Sequence, residues 1–408
     1  MNQLAIGAPA ADAHNALLTV PRNSQTEEDV QAMVRILAAL PESDAPVLSC
    51  YLDLESSWGR WESQLERRVK MLRQTTASSD LEYLDGAVEQ VRNYLETQLL
   101  PGTRGVAIFS RVGRSPYFSG LQFEVPTKTW ISLDSVPNIY HLIELRDTFD
   151  RYLVLFSTAE SGRIFEVHLG SVTRELWLEQ PELRRRVGRE WTRLHYQNHR
   201  RDRERSFISE KIRALERLMM EEGYAHLVLA GDPQRLAMIR RELPRTIRER
   251  VVDIVTVAGQ PAEKEVVEAT LQSFIEEEER ESQTLAQMLI RELRRDGLAV
   301  AGAANSLQVL RRGQADALIM ARDWKPLTAW SCGVCTWSAA GPVRPEVCAD
   351  CGSGALKEHD AREELVRLAG QTGCHIELVG DSPEMDELGG VGCLLRFAEW
   401  VTPAESLQ

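Results

Sequence analysis

Two pairs of cysteines constrain the fold of this chain more than any other feature. Cys332 and Cys335 form one C-x-x-C pair, Cys348 and Cys351 form a second, and twelve residues separate the two pairs. Zn²⁺ binds four thiolates in a tetrahedron, and this spacing is typical of a zinc ribbon. Because four protein ligands leave no open position for a substrate, the predicted cofactor is a structural Zn²⁺.

Glycines beside the cysteines, Gly333 and Gly352, permit the sharp turns that such a site requires. A redox dithiol and a ribbon that has lost its metal stay open as alternatives, although a dithiol needs only one C-x-x-C pair. The ribbon, at about residues 328–357, would stabilise a small insertion that cannot bury a core of its own. Three further cysteines lie in apolar stretches and are assigned no function: Cys50, Cys374 and Cys393.

Length and cysteine usage limit the class of protein. The 408 residues predict two or three domains, and seven cysteines with one cluster of four suit a reducing compartment better than a disulfide framework. No stretch approaches the roughly 18 consecutive apolar residues of a transmembrane helix. The start of the chain lacks the basic and apolar regions of a secretory signal. A cytoplasmic protein without membrane contact is therefore expected.

The spacing of apolar residues predicts a multidomain chain that combines α/β and α+β domains. Strand-like runs such as residues 46–54 and 225–230 alternate with amphipathic helical segments and with Gly- or Pro-containing breaks. The predicted divisions are a loose leader at 1–23, an N-terminal α+β domain at 24–145, a middle α/β domain at 146–260 and a C-terminal α/β domain at 261–401.

Residues 184–205 form a strongly basic segment in an otherwise acidic chain. Nine arginines and three acidic residues give this segment a net charge of +6, whereas the whole chain carries −13 and the remainder therefore −19. Arginine interleaved with aromatic residues is the mixture that binds phosphates and stacks on bases. The predicted RNA-binding residues are Arg184, Arg185, Arg186, Arg189, Trp191, Arg193, His195, Tyr196, Gln197, Asn198, His199, Arg200, Arg201, Arg203 and Arg205.

The pattern before residue 200 is not helical, so we expect an exposed loop that leads into a long helix from about residue 203 to 222. RNA is the expected partner rather than DNA, because no recognition-helix motif is present. A solvated, salt-bridged surface is the alternative interpretation of such a charge run.

Several segments resemble the archaeal and eukaryotic class-one release factor and Pelota superfamily, in its bacterial branch, which includes ribosome hibernation factors. Residues 389–397 (GGVGCLLRF) are similar to the strand motif that closes the family's third domain, and residues 306–320 (SLQVLRRGQADALIM) are similar to its helix–strand unit. The cysteine cluster lies between them, where archaeal members carry a zinc ribbon. Residues 152–169 and 227–231 match the opening hairpin and a later strand of the middle domain.

This resemblance implies a three-domain, release-factor-like architecture with a four-cysteine zinc ribbon inserted in the C-terminal domain. It further implies an N-terminal domain at the decoding centre, a middle domain that reaches the peptidyl-transferase centre, and a C-terminal domain that binds a translational GTPase of the elongation-factor-Tu type. The implied partners are therefore the ribosome, through the rRNA of both subunits, and such a GTPase.

The chain departs from release factors at the motif that performs peptide release. Their Gly-Gly-Gln loop corresponds here to residues 195–199 (HYQNH), in which Gln197 matches the glutamine and both glycines are absent. His195 and Tyr196 carry Cβ atoms and bulk that restrict approach to a crowded RNA pocket. The stop-codon motif Asn-Ile-Lys-Ser is absent from the chain as well. No catalytic residue is therefore predicted.

Three functions follow as hypotheses. The first is a non-enzymatic factor that occupies the ribosomal A site and inserts the basic loop near the peptidyl-transferase centre, in hibernation or dormancy. The second is a ribosome-rescue peptidyl-tRNA hydrolase in which Gln197 orients water and His195 or His199 accepts a proton. The third is a regulator that binds RNA away from the ribosome.

Overall fold

The computed structural model of the protein describes residues 27–41, 43, 45–55, 61–158, 161–179, 193–325, 327–335 and 337–397. The chain forms two compact units. One contains residues 151–274, and the other combines residues 25–150 with residues 275–408. The predicted leader at 1–23 and the first part of the basic segment, residues 184–192, lie outside the described residues.

The described part of the N-terminal segment consists of an antiparallel sheet and four helices. Its elements are α1 (Glu27–Ala38), β1 (Val47–Asp53), α2 (Trp61–Thr75), α3 (Leu81–Thr97), β2 (Gly105–Arg111), β3 (Tyr117–Phe123), β4 (Trp130–Asp134) and α4 (Tyr140–Thr148). The strands lie in the order β3-β2-β1-β4. Alternate residues of β1, Leu48, Cys50 and Leu52, pack with α2 and α3, so Tyr51 lies on the opposite face of the strand.

The unit of residues 151–274 is a mixed sheet with helices on both faces. Its elements are β5 (Tyr152–Ser157), β6 (Ser161–His168), β7 (Ser171–Glu179), α5 (Arg193–Glu221), β8 (Leu227–Gly231), α6 (Pro233–Glu242), α7 (Arg245–Arg248) and β9 (Val251–Thr256). The order is β7-β6-β5-β8-β9, and β8 pairs in parallel with both β5 and β9. Leu153 and Leu155 pack with residues of α5 and α6, whereas Val154 and Phe156 pack with the first part of α8 (Glu263–Leu293).

The C-terminal segment contains a second mixed sheet and a small ribbon. Its elements are β10 (Ala299–Ala301), α9 (Ala303–Arg311), β11 (Ala315–Ala321), β12 (Thr328–Cys332), β13 (Ser338–Ala340), β14 (Leu356–Asp360), α10 (Ala361–Thr372), β15 (His375–Val379), α11 (Pro383–Glu387) and β16 (Val391–Leu395). The larger sheet has the order β10-β16-β11-β15, and the ribbon has the order β13-β12-β14. The mixed α/β, multidomain fold class predicted from the sequence is thus confirmed, whereas the exact domain boundaries stay a prediction.

The closing Gly-Gly-x-Gly motif has a steric explanation. Gly389 and Gly390 adopt φ angles of +81° and +74°, which side chains other than glycine rarely tolerate. A Cβ atom at Gly390 would overlap the ring of Trp324. A Cβ at Gly392 would lie 2.8 Å from Leu289 Cδ2. Glycine at these positions therefore lets the chain enter β16 close to its neighbours.

The largest correction concerns the basic segment. Residues 193–199 were expected to form a loop, with the helix beginning near residue 203, but α5 already begins at Arg193. No glycine or proline occurs in the 29 residues of α5, and arginine, leucine, glutamine and glutamate are good helix formers. The sequence of its first turns is mostly charged and polar, so it carries no apolar period that a sequence pattern would detect. Strands β4 and β7 and helix α4 were also not anticipated.

Buried polar contacts join the N-terminal and C-terminal segments within their common unit. Glu363 in α10 accepts hydrogen bonds through Oε2 from the backbone N–H groups of Ile139, at 2.9 Å, and Tyr140, at 3.2 Å. Burial outweighs these two bonds and raises the pKa of Glu363 to about 8. The carboxyl group therefore satisfies the start of α4 while largely protonated at neutral pH.

We expect the free energy of unfolding to depend on pH through the protonation of the buried Glu363. Glu363 is protonated in the folded protein and ionised in the unfolded chain between about pH 5 and 8, so folding binds a proton and the free energy of unfolding falls as pH rises through that window. Glu363→Gln keeps the acceptor oxygen and removes the titration. Relative to this variant, the free energy of unfolding of the wild type should fall by up to about 1.4 kcal/mol for each unit of rising pH.

Urea unfolding at several pH values between 5 and 9, followed by tryptophan fluorescence, measures the difference. Glu358→Gln, at an exposed position of β14, is the matched control and should leave the wild-type profile unchanged. Parallel pH profiles for the wild type and Glu363→Gln would contradict the assignment of a protonated Glu363.

Candidate functional site

The four clustered cysteines converge in the ribbon as the sequence predicted. Cys332 ends β12, and the other three lie in the turns that lead to β13 and β14. Their four sulfur atoms all lie within 4.8 Å of one another. The Sγ atoms of Cys332 and Cys351 are 3.5 Å apart, as are those of Cys335 and Cys348. Tetrahedral Zn–S bonds of about 2.3 Å place sulfurs about 3.8 Å apart, so the cluster fits one such ion.

Backbone hydrogen bonds fix the two turns that present the sulfurs. The N–H of Cys332 donates to Trp337 O at 2.8 Å, and the N–H of Gly352 donates to Cys348 O at 2.9 Å. The Val334 N–H, 3.4 Å from Cys332 Sγ, is the main reason that the pKa of this thiol is lowered to about 7. Since metals bind the thiolate, the backbone favours the binding form of Cys332 before any ion arrives.

The ribbon has little hydrophobic core. Its buried cluster consists of five residues, two of which are cysteines of the site: Trp330, Cys332, Trp337, Cys348 and Leu356. Three short strands around so small a core are marginal by themselves, and a metal would supply the missing stabilisation. The four cysteines can therefore hold a metal ion, and with four thiolate ligands such an ion would be structural.

The three other cysteines behave as the sequence suggested. Cys50, Cys374 and Cys393 are buried, and burial raises the pKa of each thiol to about 12. A buried thiol with such a pKa is unreactive.

The predicted RNA-binding residues are only partly within the described structure. Arg184, Arg185, Arg186, Arg189 and Trp191 lie outside it, and for residues 193–201 only the helical backbone is described. Arg205 is exposed, and Arg203 is partly exposed. The RNA-binding role of the set stays a prediction.

Gln197 and the two histidines lie in the first turns of α5 rather than in the expected loop. Only the helical backbone is described at these positions, so the roles of the three side chains in the hydrolase hypothesis stay predictions.

Lys211 attaches α5 to the sheet, a role that sequence reasoning missed. Its side chain is buried, and Nζ donates to Ser157 Oγ at 2.7 Å and to Ser161 O at 3.1 Å. The ammonium also lies 4.1 Å from the ring centre of Phe207. Burial and, less strongly, the guanidinium of Arg235 lower the pKa of Lys211 to about 7. Lysines on amphipathic helices normally face solvent, so no sequence signal marks this one.

Comparison with known families finds a match to one segment of the chain. Residues 137–274 match the bacterial archaeo-eukaryotic release factor family 10. Over these residues the match confirms the predicted resemblance to the bacterial branch of the archaeo-eukaryotic release factor superfamily. No curated protein matches the chain.

Solved structures of Pelota proteins are similar over most of the chain. A model of ribosome-bound archaeal Pelota and ABCE1 matches 95% of this chain and 98% of its own, with 13% identity and a TM-score of 0.39. Pelota from Archaeoglobus fulgidus matches 95% of this chain and 97% of its own, with 11% identity and a TM-score of 0.35. Dom34 of S. cerevisiae matches 73% of this chain and 81% of its own, with 10% identity and a TM-score of 0.38. Dom34 is a translation termination-like factor that interacts with Hbs1. Within the part of this chain that is described, no helix has the length and apolar character needed to cross a membrane.

Metal content tests the cysteine cluster. The purified protein should contain one divalent metal ion per chain, and Cys348→Ser should reduce this to near zero because three ligands cannot close the tetrahedron. Inductively coupled plasma mass spectrometry measures the stoichiometry. Cys374→Ala removes a buried thiol outside the cluster and should retain the full metal content. Equal metal content in wild type and Cys348→Ser would contradict the site.

Proposed function

We propose that the protein is a cytoplasmic, ribosome-binding translation factor that occupies the A site and directs the start of α5 toward the peptidyl-transferase centre without releasing the nascent peptide. The match of residues 137–274 to a release factor family is the observation that carries this proposal. Occupancy of the A site without hydrolysis has a simple purpose in hibernation or dormancy. The arginine-rich segment supplies the chemistry for contact with rRNA.

Two features support a role without peptide release. Gln197 lacks both glycines of the release-factor loop, and the backbone at this position is helical. A helix carries a Cβ atom at every non-glycine residue and cannot enter a pocket as closely as a glycine loop. Rigid occupancy of the ribosomal centre is the use that suits such an element, and peptidyl-tRNA hydrolysis through Gln197 is the alternative that the release experiment below tests.

The metal in this proposal is Zn²⁺, because four thiolates in a tetrahedron are the donor set that this ion favours. Its contribution is to fold the ribbon within the C-terminal segment. A translational GTPase of the elongation-factor-Tu type is the proposed protein partner, by analogy with the Hbs1 interaction named for Dom34.

Charge reversal at the start of α5 tests the placement of this helix. Replacing Arg200, Arg201 and Arg203 by glutamate should abolish co-sedimentation with 70S ribosomes from resting cells in a low-salt sucrose gradient. Each lost phosphate contact should also reduce the slope of log affinity against log salt by roughly 0.7–0.9.

A matched control reverses the same amount of charge elsewhere in the unit. Arg240, Arg241 and Arg245 are exposed on or beside α6, and their replacement by glutamate should leave ribosome binding nearly intact. Undiminished binding of the α5 variant would refute the placement of the helix. Failure of the wild type to sediment with ribosomes would favour an RNA-binding regulator that acts away from them.

A release assay separates occupancy from hydrolysis. With ribosomes that carry labelled peptidyl-tRNA, the wild type should release no more peptide than buffer does, whereas puromycin should release it fully. Peptide release by the wild type that disappears in Gln197→Ala would overturn the proposal in favour of the hydrolase.

A further inference from the structure

A cavity of about 230 Å³ lies in the unit that combines the N-terminal and C-terminal segments. It is lined chiefly by apolar and aromatic surfaces from β1, α4 and the chain before β4, together with Arg322. The residues that shape it are Tyr51, Pro126, Lys128, His141, Leu145 and Phe149. Pockets for drug-sized ligands usually measure about 300–1,000 Å³, so this cavity suits a single ring system.

His141 and Glu144 form a hydrogen-bonded pair in the wall of this cavity. They lie three residues apart on α4, and His141 Nδ1 is 3.0 Å from Glu144 Oε2. The other carboxylate oxygen, Oε1, accepts a hydrogen bond of 2.5 Å from Lys128 Nζ. Although burial opposes it, these two hydrogen bonds hold the pKa of Glu144 below its usual value. In the tautomer that donates Nδ1–H to this carboxylate, the lone pair of the imidazole is at Nε2.

That second ring nitrogen has no protein partner. His141 Nε2 is buried and makes no hydrogen bond within the described structure, and the side chain is only 9% exposed. An unpartnered buried polar atom costs about 1–3 kcal/mol and is uncommon in native proteins. His141 Nε2 therefore gains a hydrogen bond only when a ligand in the cavity supplies the donor.

Aromatic rings keep the imidazole in place. The ring centres of Trp130 and Tyr140 lie 5.3 Å from that of His141, and the ring centre of Tyr51 lies 5.5 Å from it. Tyr51 cannot satisfy Nε2, because its hydroxyl donates to Asn138 O at 2.7 Å. The imidazole is thus oriented by its neighbours and by Glu144 before any ligand binds.

We infer that this cavity binds a single nucleobase, with His141 Nε2 accepting a hydrogen bond from a ring or exocyclic N–H and the apolar walls contacting the faces of the base. Every nucleobase is flat and carries such a donor. Among the charged residues of the lining, Lys128 has a 60% exposed side chain, against 11% for Glu144 and 26% for Arg322. Its ammonium is therefore available on the solvent side, where the phosphate of a nucleotide would lie.

The base has two sources, a free nucleotide or an unpaired nucleotide of RNA. The second source rests on the proposed ribosome binding, whereas the first does not. Unstacked bases of single-stranded RNA are commonly bound between aromatic and apolar side chains, so both sources share the same chemistry.

Titration of the full-length protein with mononucleotides tests the cavity. Isothermal titration calorimetry and the fluorescence of Trp130, which neighbours His141, should both detect binding of AMP, CMP, GMP or UMP. His141→Phe keeps a ring and removes the acceptor, and it should weaken binding at least tenfold. Leu145→Trp fills the cavity and should abolish binding. His375→Phe changes a histidine on β15 that does not line the cavity, and it should bind as the wild type does.

Single-stranded oligoribonucleotides distinguish the two sources. Tighter binding of an oligonucleotide than of its mononucleotides, lost in His141→Phe, assigns the site to RNA, whereas equal affinity assigns it to free nucleotides. The triple arginine variant of α5 should retain mononucleotide binding even where it no longer binds ribosomes. The nucleobase site and the proposed ribosome binding can therefore be disproved independently of each other. Absence of binding by all four mononucleotides and by the oligonucleotides at millimolar concentration would overturn the inference, as would binding that His141→Phe leaves unchanged.

Discussion

The hydrogen bonds that Glu363 accepts from Ile139 and Tyr140 set the position of helix α4, and much of the surrounding structure depends on them. A nine-residue helix cannot persist alone in water, since helix nucleation is unfavourable. Its first N–H groups are satisfied by a carboxyl group from α10, more than 200 residues later in the chain. Because α4 carries His141 and Glu144, the geometry of their cavity follows from this contact between the two segments.

That long-range contact also explains what the sequence could and could not predict. Strands β1 and β8 and the cysteine ribbon carry local signals, namely continuous apolar runs and metal-ligand spacing, and they lie where expected. Helix α4 carries no capping residue, because Ile139 holds the cap position without a side-chain hydrogen bond. Its stabilising partner is distant in sequence, so neither the helix nor its histidine pair was anticipated.

The start of α5 was mispredicted for a different physical reason. An amphipathic period arises where one face of a helix packs on a core, and Phe207 is the first residue of α5 that is described as buried. Upstream of it, helix propensity alone favours the conformation. Sequence patterns detect packing more readily than propensity, so they place the boundary where the core begins rather than where the helix begins.

This division of α5 bears on what the helix can do. Residues 193–206 extend roughly 20 Å beyond the first buried residue at a rise of 1.5 Å per residue. Lys211, hydrogen-bonded to the end of β5 and the start of β6, and the apolar residues that follow it fix the base of the helix. A helix anchored at one end holds its backbone in a defined direction without the entropy that a loop loses on binding. For the proposed occupancy of the ribosomal centre, an anchored helix supplies reach and positive charge, whereas the glycine loop that the release-factor resemblance associates with peptide release is missing from the sequence.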